Sequence, residues 1–409
     1  MPTFPTELFE QIIAWIPDVC HGSHEEDHAL LTCSLVCSAW LPASRRQLFQ
    51  TLYIKTPERY DLLVSRVLHS EKMRIYLLSV RTVEFATQSG TPAFGRPFVL
   101  EFAGHLPNVT DILFLEGSAE AYLSQPASGL AISRFALVRS LSILDCEFLS
   151  FGALRRILTS LPSLDNLELD SPSWPDPAAE LSPSLSHGAS TVRRPALLGL
   201  NVMWETKSSD RRRAQQFIAW LSETATSSSL LDLEVVPYSR TRGQQIRFMA
   251  IFGSSLSCFG RGLRRLNIRV VERDNPELER FFCTLTSLKV LGLEFESAIR
   301  PDTWVQSERL VHSLPRPTQL VELYIDVGSV YIPLKLPKFD ALEALDAALR
   351  LELFQALQTV KIHVDYCKEE GGPEQGPALT ESMLSVIKNK LPELFVRNII
   401  EVSAVRYKL

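Results

Sequence analysis

The densest concentration of chemistry-bearing side chains lies near the start of the chain, where Cys20, His21, His24, His28, Cys33 and Cys37 fall within one short stretch. Inside it, His24-Glu25-Glu26-Asp27-His28 spells H-E-x-x-H, the pattern in which two histidines one helical turn apart bind zinc and the glutamate acts as base. Three features argue against that chemistry. The variable positions are Glu26 and Asp27, whose charges a buried metalloprotease helix would have to desolvate. The Gly and His of the extended pattern would fall at Leu31 and Ser34. The pattern also falls in a link between short helices, with no catalytic domain around it; the wider cysteine and histidine spacings match no structural zinc arrangement, and free cysteine commonly serves as a small core residue. The stretch therefore reads as a solvated acidic link that binds no metal. A zinc hydrolase built on His24 and His28 is the one enzymatic alternative it offers.

Other chemistry is absent from the sequence. It contains no G-x-x-x-x-G-K-S/T, no G-x-G-x-x-G and no G-x-S-x-G, and its 18 glycines leave few phosphate-cradling loops. The basic run Arg211-Arg212-Arg213 follows a helix-capping Ser208-Ser209-Asp210 and precedes the apolar Phe217, Ile218, Trp220 and Leu221. It reads as the solvated face of a helix, with a nuclear-import or acidic-partner site as the alternative. No catalytic residue and no cofactor is expected.

The elements around the cysteine–histidine stretch are apolar helices. Apolar residues at 8, 9, 12, 13 and 16 have helical spacing, Pro5 suits a first turn, and Glu7 complements the positive end of the helix. Ala29 to Val36 forms a second apolar run, and Trp40 to Phe49 a third with Arg45 and Arg46 on its polar side. Three short helices bury little surface by themselves, so such a unit docks on something. Pro5, Glu7-Leu8, Ile12, Leu35-Val36 and Trp40, with the run Cys33-Ser34-Leu35-Val36-Cys37-Ser38-Ala39-Trp40, give the sequence its resemblance to an F-box of the fungal F-box-like type. That resemblance implies binding of a Skp-type adaptor of a cullin–RING ubiquitin ligase, with Pro5, Leu8, Ile12, Val36 and Trp40 as adaptor-binding residues. Trp40 could equally face the interior of the helical unit.

Composition bounds the remainder. The chain has 409 residues, 45% of them hydrophobic and 22% charged, as in a globular protein with ample core. A net charge of −5 leaves no electrostatic footprint for nucleic acid or an anionic membrane. Glu7 and Glu10 interrupt what would be the apolar run of a signal peptide, and no stretch approaches a membrane span. Seven scattered cysteines, an odd number, point to reduced thiols and a cytoplasmic or nuclear location.

From residue 49 onward one phrase recurs, apolar-x-x-apolar-x-apolar. It reads Phe49/Leu52/Ile54, Val80/Val83/Phe85, Val109/Ile112/Phe114, Val138/Leu141/Ile143, Leu164/Leu167/Leu169 and Leu197/Leu200/Val202. It continues as Leu230/Leu233/Val235, Leu263/Leu266/Ile268, Leu288/Leu291/Leu293, Leu320/Leu323/Ile325 and Leu357/Val360/Ile362. Successive copies start 25 to 37 residues apart, which leaves room for one strand and one helix, as over Arg211–Thr224, Pro276–Thr284 and Ala341–Phe354. The pattern resembles the leucine-rich repeat, although only Cys146 stands where that repeat places its Asn or Cys.

The expected fold is α/β: a three-helix F-box at residues 1–48, then an irregular leucine-rich-repeat-like solenoid at 49–409, a horseshoe of parallel strands with outer helices. An exposed Pro/Ser-rich loop spans 171–195, with shorter ones at 86–97 and 368–377. Strand residues alternating with the buried ones then form the substrate face: Asn166, Glu168 and Asp170; Asp232 and Glu234; Arg265, Asn267 and Arg269; Glu322, Tyr324 and Asp326; Lys361 and His363. Acidic beside basic segments suggest a partner of complementary charge. The functional expectation is a non-catalytic substrate receptor of an SCF-type ubiquitin ligase, with a Skp-type adaptor, a cullin and a protein substrate as partners. The alternative is a repeat-based interaction scaffold acting outside a ligase.

Overall fold

A computed structural model describes residues 5–20, 23–86, 98–118, 128–175, 194–205, 208–238, 256–270, 276–295, 302–316, 318–331, 342–349, 354–367 and 376–407. The chain forms two compact units, residues 1–175 and 176–409.

The first unit opens with four helices, α1 (Thr6–Ala14), α2 (Ile16–Val19), α3 (Ser23–Val36) and α4 (Leu41–Leu48). The sequence suggests three, with α3 beginning near Ala29. It begins earlier because Glu25 and Glu26 lie in its first turn, where carboxylates offset the unpaired N–H groups and the positive end of the dipole. Ile13, Leu30 and Ala43 are buried between the helices, and Ile16, Trp40 and Leu48 pack against them.

Five parallel strands follow in the same unit: β1 (Thr51–Ile54), β2 (Thr82–Ala86), β3 (Asp111–Ser118), β4 (Ser140–Glu147) and β5 (Asn166–Asp170), each paired with the next in chain order. The second unit holds β6 (Gly199–Glu205), β7 (Asp232–Tyr238), β8 (Arg265–Val270), β9 (Val290–Phe295), β10 (Glu322–Tyr331), β11 (Thr359–Cys367) and β12 (Ile400–Tyr407), again paired successively and in parallel. Both units are leucine-rich-repeat-like α/β solenoids.

The second and third apolar residues of all eleven recurring phrases are buried strand residues, from Leu52 and Ile54 to Val360 and Ile362. The first is buried in ten of them, and Phe49 is half-buried. Burying side chains of this size contributes roughly 1.5–3 kcal/mol each, so each of these eleven strands is anchored twice on one face. Entry into the strands is equally regular. The carbonyl of Gln50 accepts the N–H groups of Arg81 and Thr82 at 2.8 and 3.0 Å, and that of Arg81 accepts those of Thr110 and Asp111 at 2.8 and 3.1 Å. The carbonyls of Thr110, Arg139, Leu198, Leu231, Arg264, Lys289 and Val321 do the same for the next strand in turn.

The sequence phrase misses β12. Where an apolar residue would open it stands Arg397, whose guanidinium donates to the carbonyls of Leu349, Phe354 and Leu357 at 3.3, 3.3 and 3.0 Å. A cation satisfies there the backbone acceptors that would otherwise be stranded at a partly buried turn.

Amphipathic helices cover the sheet. The helix Phe151–Ser160 buries Phe151, Leu154, Ile157 and Leu158, and Ser150 caps it by accepting the N–H of Ala153 at 3.2 Å. The helices expected at 211–224, 276–284 and 341–354 are Ser208–Ser222, Pro276–Phe282 and Leu342–Ala348. Of the basic run only Arg212 is exposed; Arg213 pairs with Asp210 at 2.7 Å and is largely buried, so the run is not a fully solvated face.

The Pro/Ser-rich stretch also departs from expectation at its start. Pro172 and Trp174 are buried, Trp174 lies 5.3 Å from the Phe151 ring, and Ser173 pairs with Cys146 and Phe148 through backbone bonds of 2.9 and 2.7 Å. A tryptophan this large is drawn to the core wherever a short extended segment can reach it. Residues 176–193 of that loop, with 87–97 and 368–375 of the two shorter ones, lie outside the described residues.

Cys146 is buried with its thiol against the carbonyl oxygens of Leu144 and Phe114, at 3.4 and 3.7 Å, a weak counterpart of the asparagine contacts of a regular repeat. Burial, with the Asp145 charge beside it, pushes its pKa up to about 12. In the native protein Cys146 should therefore resist iodoacetamide while the exposed Cys37 and Cys283 are alkylated, and should react only after denaturation. Mass spectrometry of labelled peptides checks this.

Candidate functional site

Two kinds of surface are candidates: the outside of the N-terminal helices and the outward face of the strands.

Helix α1 is apolar on two sides. Phe9 and Ile13 face inward, the Phe9 ring lying 5.5 Å from that of Trp40. Leu8, Ile12 and Trp15, spaced i, i+4, i+7, are exposed, Trp15 by 65%. Val19 of α2 and Leu31, Leu35 and Val36 of α3 are exposed as well, Leu35 by 86%. Apolar side chains this large, grouped on three short helices, are characteristic of a contact surface. Glu10 and Arg46 join α1 to α4 at 2.9 Å. Of the expected adaptor-binding residues, Pro5, Leu8, Ile12 and Val36 are exposed, whereas Trp40 is half-buried against Ile13, Leu30 and Ala43. Spacing alone did not single out Trp15 and Val19, although 8, 12 and 15 make a helical stripe as regular as 9, 13 and 16.

Of the cysteine–histidine stretch, Cys20 follows the end of α2, His24, His28 and Cys33 belong to α3, and Cys37 follows it. His21 and the side chain of His24 lie outside the described residues; His28 is exposed and Cys33 half-buried. Among the described residues no three Cys, His, Asp or Glu side chains converge on a metal site.

Register orders the outward strand residues into rows. Asn166, Glu168 and Asp170 belong to the first unit, and the other expected substrate-binding residues to the second. In the second unit one row runs Asn201, Glu234, Asn267, Gly292, Tyr324, Lys361 and Glu401. The row below it runs Asp232, Arg265, Val290, Glu322 and Thr359, and the row above runs Arg269, Glu294, Asp326, His363 and Ser403.

These groups bond largely to one another. Asn267 donates to Glu234 at 2.9 Å, Arg269 pairs with Glu294, Lys361 lies 3.5 Å from Glu401, and His363 shares a hydrogen bond with Ser403 at 2.7 Å. The Tyr324 hydroxyl donates to Glu322, which with burial and the Glu322 charge raises its pKa, while Lys361 stands 5.3 Å over the ring. Arg269 is thus engaged within the sheet by Glu294. Gly292 and Glu294 complete this face and carried no signal in the sequence.

In the first unit the corresponding rows are Thr51, Thr82, Asp111, Ser140 and Asn166; Tyr53, Glu84, Leu113, Ser142 and Glu168; and Ala86, Leu115, Leu144 and Asp170. Ser142 donates to Glu168 at 2.7 Å. Burial raises the pKa of Glu84 against the pull of Lys55, and burial with the Glu84 charge raises that of Tyr53.

No family model matches the chain, and no curated protein matches it. Solved structures that do match include an internalin (inlF) from Listeria monocytogenes, 11% identical over 85% of this chain and 92% of that one, with a TM-score of 0.28. Another is the TLR13–ssRNA13 complex, 12% identical over 73% of this chain and 55% of that one, with a TM-score of 0.20. Both superpose loosely, and the repeat fold rests on this chain's own strand order and burial. Among the described residues no helix is long and apolar enough to cross a membrane.

Two outcomes follow from the strand faces. A Cβ at Gly292 would stand 2.6 Å from the Asn267 side-chain oxygen, so Gly292→Ala must displace Asn267 from Glu234. We expect Gly292→Ala to cost about 1 kcal/mol in urea unfolding, and the cost to vanish in an Asn267→Ala background. The raised pKa of Glu84 means that the folded state holds its proton more tightly, so stability falls as pH rises through the carboxylate range. Glu84→Gln should melt at or above wild type at pH 7, with the gap closing below about pH 4.

Proposed function

We propose that this protein is a substrate receptor of an SCF-type cullin–RING ubiquitin ligase, without bond chemistry of its own. The N-terminal helices dock on a Skp-type adaptor, and the outward strand faces receive a protein substrate. The observation that carries the reading is the two-sided α1: one apolar side closes the helical unit through Ile13, and the other presents Leu8, Ile12 and Trp15 to solvent, while α3 exposes Leu31, Leu35 and Val36. The F-box resemblance of residues 4–40 supplies the identity of the partner. The repeat architecture, with polar side chains alternating outward along parallel strands, supports the protein-binding role.

Leu8→Ala with Leu35→Ala removes two exposed anchors without touching the buried Ile13, Leu30 and Ala43. Anchors of this kind cost about 2 kcal/mol each when truncated, roughly 30-fold in affinity. Affinity purification from cells should recover a Skp-type adaptor and a cullin with the wild-type chain and neither with the double variant, while the repeats melt unchanged. An adaptor recovered without cullin would indicate a scaffold outside the ligase. Retained adaptor binding by the double variant would reject the helical dock.

A further inference from the structure

The two strand faces differ in how their charges are settled. The second unit's rows interleave acids with Arg265, Arg269 and Lys361, and several of these groups pair within the sheet. The outward and exposed positions of β1 to β5 hold Glu84, Asp111, Asp145, Glu147, Glu168 and Asp170, and not one Lys or Arg. Lys55, just beyond β1, lies over the Tyr53 ring and acts on Glu84.

Alternation also breaks here. Leu113, Leu115 and Leu144 occupy outward positions that a solvated sheet would fill with polar residues, and they are only half-buried. Leu115 and Leu144 are register partners, Ala86 pairs with Leu115, and Leu113 lies two residues before it. The result is an apolar patch across β2, β3 and β4, bounded by Glu84 on the β2 side and by Glu168 and Asp170 on the β5 side.

We propose that this face binds an extended protein segment with an apolar residue between two basic ones, in the pattern Arg/Lys-x-apolar-x-Arg/Lys. Glu84 and Glu168 share one row and are three strand spacings apart, about 14 Å. An extended chain covers that distance in about four residues, at roughly 3.4 Å each. Residues i, i+2 and i+4 of such a chain point the same way, so two cations meet the carboxylates while the central side chain meets the leucines. This deepens the reading above, on which the outward strand faces receive substrate, by naming the chemistry of the segment they take.

The test uses the full chain alone and a 15-residue peptide with a central Arg-Ser-Leu-Ser-Arg flanked by Gly and Ser, titrated by fluorescence anisotropy. Binding is expected to weaken as salt rises, and to be lost when both arginines are Gln or when the Leu is Ser. Glu84→Gln with Glu168→Gln, which keep the side-chain shape and the Ser142 bond, should weaken it roughly fivefold or more. Undetectable binding at millimolar peptide, equal binding of the Gln-substituted peptide, or an unchanged affinity in the double variant would overturn the proposal. No adaptor is present, so failure here leaves the ligase reading standing. Conversely, Leu8→Ala with Leu35→Ala should bind the peptide as wild type does.

Discussion

Every strand that opens with the recurring phrase must bury two apolar side chains on one face, and that demand governs most of what else the molecule does. Because successive side chains of a strand point to opposite faces, fixing Leu323 and Ile325 inward fixes Glu322, Tyr324 and Asp326 outward. A slip of one residue would reverse the whole set, so burial pins register as firmly as the hydrogen bonds do. The same demand, repeated with parallel pairing, aligns the outward residues of neighbouring strands into rows. An ordered outward face is thus a by-product of how the core closes.

What fills those rows distinguishes the two units. In the second, Asn267 with Glu234, Arg269 with Glu294 and Lys361 with Glu401 satisfy one another across adjacent strands, so much of the charge is compensated where it stands. Gly292 belongs to that arrangement, since any side chain there would meet the Asn267 amide. In the first unit leucines stand among carboxylates and no cation shares their rows. Half-buried charge beside apolar surface costs solvation that a complementary partner restores, and the raised pKa of Glu84 is one expression of that cost.

Much of the architecture is written plainly in the residues. The triplets from Val80/Val83/Phe85 to Leu357/Val360/Ile362 place ten strands and their inward faces without ambiguity, because period-two burial leaves a mark that other structure rarely imitates. The twelfth strand is hidden by Arg397, which does with hydrogen bonds what an apolar residue does with burial. The early start of α3 is hidden in acidic residues that look like a loop until their effect on the helix end is considered. Trp40, read either as anchor or as core, packs against Ile13, Leu30 and Ala43, while Trp15 and Leu35 hold the exposed positions. The outward rows were harder to read, because Leu113, Leu115 and Leu144 look like core until pairing shows which way they face. Whether Arg269 is free or engaged depends on Glu294, 25 residues away in sequence.

At nine strand entries a single backbone oxygen, such as that of Arg81 or Lys289, serves two amides of the next repeat. Mechanical load along either unit passes rung to rung through these bonds. A chain built this way gives way by peeling from an end rather than by shattering as a whole. Threading machinery that grips one terminus would meet a series of small barriers instead of one large one.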